Sequence, residues 1–187
     1  MPEVMLPDRS SLQSDLRTYR ERFVQEAGAV TLFEDFLHSH PQVFERAHPF
    51  GHFTGSAWLV SADGAGVLLM HHRKLDRWLQ PGGHADGDAE LSRVALREAR
   101  EETGVAELRI EGGIFDLDRH RIPARADEPE HWHYDVRYVV RAGADGRFTL
   151  NPESRALAWR PVAEVAADAG LDPSLRRMAC KWLSRSS

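Results

Sequence analysis

Three glutamates crowd one short stretch near the middle of the chain. Glu98, Glu101 and Glu102 fall at positions i, i+3 and i+4, so on a helix their carboxylates share one patch. Three like charges in one place repel, and a helix gains nothing from that. Two readings are open. The patch is a solvated acidic face softened by Arg93, Arg97 and Arg100, or it holds hard divalent cations. Mg²⁺ and Mn²⁺ take oxygen ligands from rigid elements. Cations held there would cancel the repulsion, bridge phosphate oxygens and activate a water for attack on phosphorus.

The surrounding elements have to present that patch. Asp88 is in position to cap a helix running to about Thr103, with Gly104 as its stop. Leu91, Val94, Ala95 and Ala99 give the helix an apolar stripe for a sheet. Pro81-Gly82-Gly83 and Asp86-Gly87 bracket a loop before it. Residues 56–62 and 66–71 read as strands about the turn Asp63-Gly64-Ala65-Gly66. Residues 108–115 read as a strand broken by Gly112-Gly113, and 119–130 as a polar loop. Residues 131–142 are the clearest strand: His131, His133, Asp135 and Arg137 alternate with Trp132, Tyr134, Val136 and Tyr138. Residues 148–150 and 157–160 suggest short strands; 162–167 and 173–183 suggest helices. Ahead of all this, residues 10–46 read as helical, with Leu12, Leu16, Tyr19 and Phe23, then Leu32, Phe33, Phe36 and Leu37, at helical spacing. These stripes imply a helical extension, residues 1–50, packed on a main domain of residues 51–187, or a contact between subunits in a homodimer. Irregularly mixed helices and strands indicate an α/β sandwich rather than a βαβ array.

Gly83 before the helix, and Arg97-Glu98-Ala99-Arg100-Glu101-Glu102-Thr103-Gly104-Val105 at its end, resemble the Nudix hydrolase signature G-x5-E-x7-R-E-U-x-E-E-x-G-U, where U is apolar. One position departs: the first Glu of the pattern falls on Ala89, with Glu90 one residue along. The order of strand, hairpin, Trp78-Leu79-Gln80-Pro81-Gly82-Gly83 and helix also resembles the family, as does Trp159-Arg160-Pro161-Val162-Ala163-Glu164-Val165 near the end. The likeness spans about residues 52–170. It implies an α/β/α sandwich with a mixed sheet, Mg²⁺ or Mn²⁺ as cofactor, and hydrolysis of a diphosphate linkage in a nucleoside diphosphate joined to a second group. It assigns Glu98, Glu101, Glu102 and a backbone carbonyl near Gly83 to the metal, and Glu101 or Glu102 to the proton from the attacking water. An acid from a later loop, Asp127, Glu128 or Glu130, is an alternative base. Arg97 and Gly104 hold the box in shape. The usual partner of Arg97 is the missing Glu, which Glu90 or another acid would replace.

Ten histidines is many for 187 residues. His71-His72-Arg73-Lys74 follows a strand and suits either phosphate contact or a solvated hairpin end. Arg73, Arg77, Arg119 and Arg121 are candidate phosphate ligands. His84, beside Gly83, joins His131 and His133 as candidate substrate contacts. The row His131, His133, Asp135 suits a metal site, a substrate wall or a plain polar sheet face. A second metal on His52, His84, His131 and His133 would resemble the isopentenyl-diphosphate isomerase branch, although that branch's catalytic cysteine has no counterpart. Trp78, Trp132 and Tyr134 would stack on a base or fill the core.

Composition sets the outer limits. With 24 basic and 29 acidic residues the net charge is −5, which argues against coating nucleic acid by charge alone. The expected partner is a small nucleotide or diphosphate. Hydrophobic residues make up 42%, enough for a sizeable core. The single cysteine, Cys180, excludes an internal disulfide and reads as core filler. Neither a membrane span nor a signal peptide is apparent, so the expected setting is cytoplasmic. A domain that has lost catalysis and senses a nucleotide is the other reading; the intact glutamates argue against it.

Overall fold

The computed structural model describes residues 8–125 and 128–185. Helices α1 (Ser10–Arg22) and α2 (Ala27–Ser39) come first, parted by a 3-10 turn at Val24–Glu26. The stretch read as helical over 10–46 is two helices, and the second ends at Ser39, before Pro41. Strands β1 (Gly51–Val60), β2 (Gly66–His72), β3 (Arg77–Leu79) and β4 (Gly82–His84) follow, then helix α3 (Leu91–Thr103). Strands β5 (Leu108–Ile122), β6 (His131–Ala142) and β7 (Ser154–Pro161) lead to α4 (Val162–Ala167) and α5 (Pro173–Ser184).

The seven strands form one mixed sheet with the path β3-β2-β1-β6-β5. β1 runs parallel to β6 along its whole length, from Gly51 opposite Trp132 to Val60 opposite Arg141. Its other edge pairs β4 at Thr54–Ser56 and touches β2 only at Val60. β7 covers the free edge of β2. Alternation along β1 and β6 sends Phe53, Tyr134, Val136 and Tyr138 to one face, where α1, α2 and α3 pack. Trp58, Val60 and Val139 go to the other face, under α4 and α5. The result is an α/β/α sandwich. Leu12, Leu16, Tyr19, Phe33 and Leu37 are all spent inside this core, whereas Leu32 stays exposed.

Several local expectations are corrected. Helix α3 begins at Leu91, and Asp88 does not cap it; Asp88 accepts the Glu90 N–H at 2.9 Å and is clamped by Arg93. β5 does not stop at Phe115. Gly112, at φ 75°, makes a bulge between Glu111 and Ile114, and the polar residues beyond keep pairing with β6 because their charges have partners there. Residues 148–150 are not a strand: Phe148 and Leu150 are exposed, and Thr149 is tied by its N–H to the Thr103 carbonyl. Cys180 is exposed on α5 rather than in the core. Gly104 does end α3, at φ 66°, a left-handed position where a side chain is strained. Among the described residues, no helix is long and apolar enough to cross a membrane.

Candidate active site

Helix α3 docks its apolar stripe on the sheet and turns its C-terminal half toward β4. Glu98, Glu101 and Glu102 line one cleft of about 350 Å³ together with Asn151, Pro152 and Glu153. The spacing argument therefore brings the three box acids to one place. The wall formed by residues 151–153, just before β7, was not legible: Glu153 is about fifty positions from the box, and no spacing links them. A larger cleft of about 540 Å³ opens at the start of α3, lined by Ser11, Asp88, Glu90 and Arg93 among others. Asp88 and Arg93 satisfy each other there, so the smaller cleft has the stronger claim to chemistry.

Two of the acids lie against the glycine strand. The Gly82 N–H donates to Glu102 Oε2 at 2.8 Å. Glu98 crosses so close to Gly83 that a Cβ there would lie 2.5 Å from its Oε2 and would displace the carboxylate. Arg97 donates to Glu98 Oε1 at 2.9 Å and to the His84 carbonyl at 3.0 Å. It thus bridges helix and loop without the acid missing at Ala89. Glu90 is no substitute, since it binds the hydroxyls of Ser11 and Ser92.

Burial pushes the Glu102 carboxyl up to about 8, and the neighbouring Glu98, Glu153 and Glu101 push the same way against the Gly82 N–H. Glu98 is also raised, by burial first, against the pull of Arg97. Buried carboxylates without a matching cation favour their protons. A divalent cation is the group that would hold them ionised, so this donor set fits the metal that the box implies.

The other sequence candidates go elsewhere. Arg73 donates to the carbonyls of Pro152 and Ser154 and staples a turn. Arg77 faces Asp172 at 3.6 Å, Arg119 lies over the Trp132 ring at 3.8 Å, and Arg121 pairs with Glu130. His72 Nδ1 accepts from the Lys74 and Leu75 N–H groups, and His71 meets Trp78 edge-on, so that pair serves the hairpin. Tyr134 stacks on Phe36 in the core. Glu128 faces Arg46 and His131 rather than the cleft, and Asp127 lies outside the described residues. His84, His131 and His133 do meet, on the sheet around His52.

The sequence profile of the NUDIX domain matches residues 52–182. No curated protein matches the chain. Among solved structures, a C. elegans Ap4A hydrolase in a binary complex is similar at 15% identity and TM-score 0.57, over 72% of this chain and 96% of that one. A MutT protein from Methanosarcina mazei Go1 gives 18%, 0.55, 72% and 94% in the same terms. The NUDIX domain of Shewanella oneidensis NrtR, complexed with ADP ribose, gives 21%, 0.55, 82% and 97%. At these identities the structures speak to the fold. The profile match runs from β1 to α5 and takes in the whole glycine–glutamate box, and on that ground the chain belongs to the NUDIX family.

Proposed function

We propose that this protein is a Mg²⁺- or Mn²⁺-dependent pyrophosphohydrolase that cleaves a diphosphate linkage in a nucleoside diphosphate joined to a second group. The observation that carries it is the cleft of Glu98, Glu101 and Glu102, where the buried Glu102 is bonded to Gly82, the half-buried Glu98 lies against Gly83, and both carboxyls are raised. Glu98, Glu102 and the Gly83 carbonyl would hold the cation, with Glu101 beside them. When bound, such an ion neutralises diphosphate charge and lowers the pKa of water.

The chain's own groups do the rest. Arg97 fixes the Glu98 carboxylate, and the Gly82 N–H fixes Glu102, so neither has to reorganise as charge develops. Glu101 lines the cleft from the solvent side, and we assign it the proton of the attacking water, with Glu102 as the second candidate. The water oxygen forms a bond to phosphorus, the bridging P–O bond breaks, and the proton passes to the carboxylate. Relatives of similar fold carry the names Ap4A hydrolase and MutT, or hold ADP ribose, which supports a nucleotide substrate. We assign the protein to the cytoplasm as part of the same reading.

The test is a panel with Mg²⁺ or Mn²⁺: nucleoside triphosphates, nucleotide sugars, dinucleoside polyphosphates, ADP-ribose and isopentenyl diphosphate, scored by released phosphate or nucleotide. One of the nucleotides should turn over, and Glu98→Gln and Glu102→Gln should each lower that rate by about 10³-fold, roughly 4 kcal/mol of barrier. Full turnover in both variants would remove these residues from the reaction.

A further inference from the structure

A second cluster of ligating side chains lies outside the carboxylate cleft. His52 on β1 stands opposite His133 on β6, and His131 is two residues back on the same face. One ring nitrogen from each of these three comes within 4.8 Å of the other two. His52 is 1% exposed, and among the described residues neither of its ring nitrogens has a hydrogen-bond partner. A neutral imidazole carries one N–H and one lone pair, and burying both unmet is costly. The neighbours do not supply what is missing, because His84, His131 and His133 all pack their rings about 5 Å from it.

The orientation of the other two rings is informative. His131 Nδ1 is 2.9 Å from the Pro129 carbonyl. A carbonyl only accepts, so Nδ1 carries the hydrogen and Nε2 presents its lone pair. That Nε2 points at His133 Nε2, 3.3 Å away. Two nitrogens bound to one tetrahedral ion at ~2.0–2.1 Å are separated by about 3.3–3.4 Å. Glu128 Oε1, 3.9 Å from His131 Nε2, and the rim ring of His84 border the remaining side.

We infer that His52, His131 and His133 form a metal site for a divalent transition ion, best suited to Zn²⁺, separate from the box carboxylates. All-imidazole donors select borderline ions, whereas the carboxylate cleft selects hard ones. The one chain would then hold two chemically distinct cations. The imidazole ion ties β1 to β6 at the end of the sheet where β4 joins it, and so braces the strand that carries Gly82 and Gly83. The inference does not depend on the pyrophosphohydrolase reading, because it rests on different residues.

The experiment uses the full chain without a histidine tag, stripped with a strong chelator and titrated with Zn²⁺ alone by calorimetry. Co²⁺ substitution supplies an absorption signature of nitrogen ligation. We expect one tight Zn²⁺ per chain in the wild type and in Glu98→Gln. His52→Gln and His133→Gln should each weaken it by more than the roughly 10–100-fold that loss of an outer partner causes, and should abolish the Co²⁺ bands. Circular dichroism and gel filtration check that the variants fold. Absence of stoichiometric Zn²⁺ binding to the stripped wild type overturns the inference without recourse to any variant. So does binding that survives both histidine changes, or that Glu98→Gln alone removes.

Discussion

Two clusters of charge, one buried and one half-open, sit in this molecule, and they are built on opposite plans. Beneath α5, Arg137 is enclosed by Asp135, Asp116 and Asp118, at 2.8, 3.3 and 3.2 Å. Arg177 and Lys181 reach down from α5 to the same Asp116, and Thr54 and Ser56 donate to Asp135. Each charge there has partners of opposite sign. In the α3 cleft, by contrast, four acids meet, and among the described residues the one salt bridge that any of them makes is that of Glu98 with Arg97. The first plan fastens parts of the protein together. The second leaves most of its charge unmatched by the chain's own cations, as the proposed metal site requires. Burial alone does not mark a functional site; burial with a one-signed remainder does.

The contrast breaks most visibly at Arg137. Replacing it with Met removes the cation paired with Asp135 and leaves Asp116 with Arg177 and Lys181, both carboxylates being at most 2% exposed. Breaking a buried pair by removing one member costs about 3–5 kcal/mol. Urea unfolding of Arg137→Met should show that loss, while the folded fraction keeps its cation-dependent turnover. Glu102→Gln should behave in the opposite way. It relieves repulsion at a buried acid, so stability should be unchanged or slightly higher even as turnover collapses. A Glu102→Gln protein destabilised by more than about 1 kcal/mol would mean that the cleft fastens the fold as well, and the contrast would fail.

A smaller effect is read through pH. Burial alone would raise the Asp118 carboxyl, but the hydrogen bond from His120 and the Arg137 and Arg177 guanidiniums override it and hold it well below the usual carboxylate range. A carboxyl depressed by folding stabilises above its unfolded pKa of about 3.9, and that contribution is lost as pH falls toward the folded value. Asp118→Asn should therefore cost about 1–2 kcal/mol at pH 7, and its difference from the wild type should shrink steadily on acidification from about pH 5 to pH 2. A difference that stays constant across that range would mean Asp118 acts through packing rather than charge.

How far these sites were legible follows from how local they are. The box acids and Gly104 lie within one helix, where a period of 3.6 fixes which residues converge, so spacing placed them together. The alternation of His131, His133, Asp135 and Arg137 against Trp132, Tyr134 and Val136 was equally local. What spacing could not supply was pairing across the sheet. Residues 119–122 read as the start of the polar loop 119–130, because their charges carry no sign of the β6 residues they pair with. His52 joined His84, His131 and His133 only through the resemblance to the isomerase branch; the physical reason, β1 lying parallel to β6 with His52 opposite His133, is a cross-sheet pairing. The same blindness hid Glu153, which enters the cleft only because β7 pairs with β2 and carries the loop before it alongside α3.

Glu153 gives the finest test of where the one-signed site ends. It is exposed, unlike Glu102, and it faces the cleft from a loop rather than from the helix. An exposed acid acts on a bound cation through solvent-screened attraction, while a buried one acts at close range in a drier medium. Glu153→Gln should accordingly raise the cation concentration needed for half-maximal turnover by less than about tenfold, under roughly 1.4 kcal/mol, with the maximal rate nearly kept. Added salt should shrink the difference further, because only a screened interaction responds to it. If Glu153→Gln instead lowers the maximal rate as severely as Glu102→Gln, and salt leaves the loss unaltered, Glu153 belongs among the groups that act on the substrate, and the site would extend from the helix into the β7 loop.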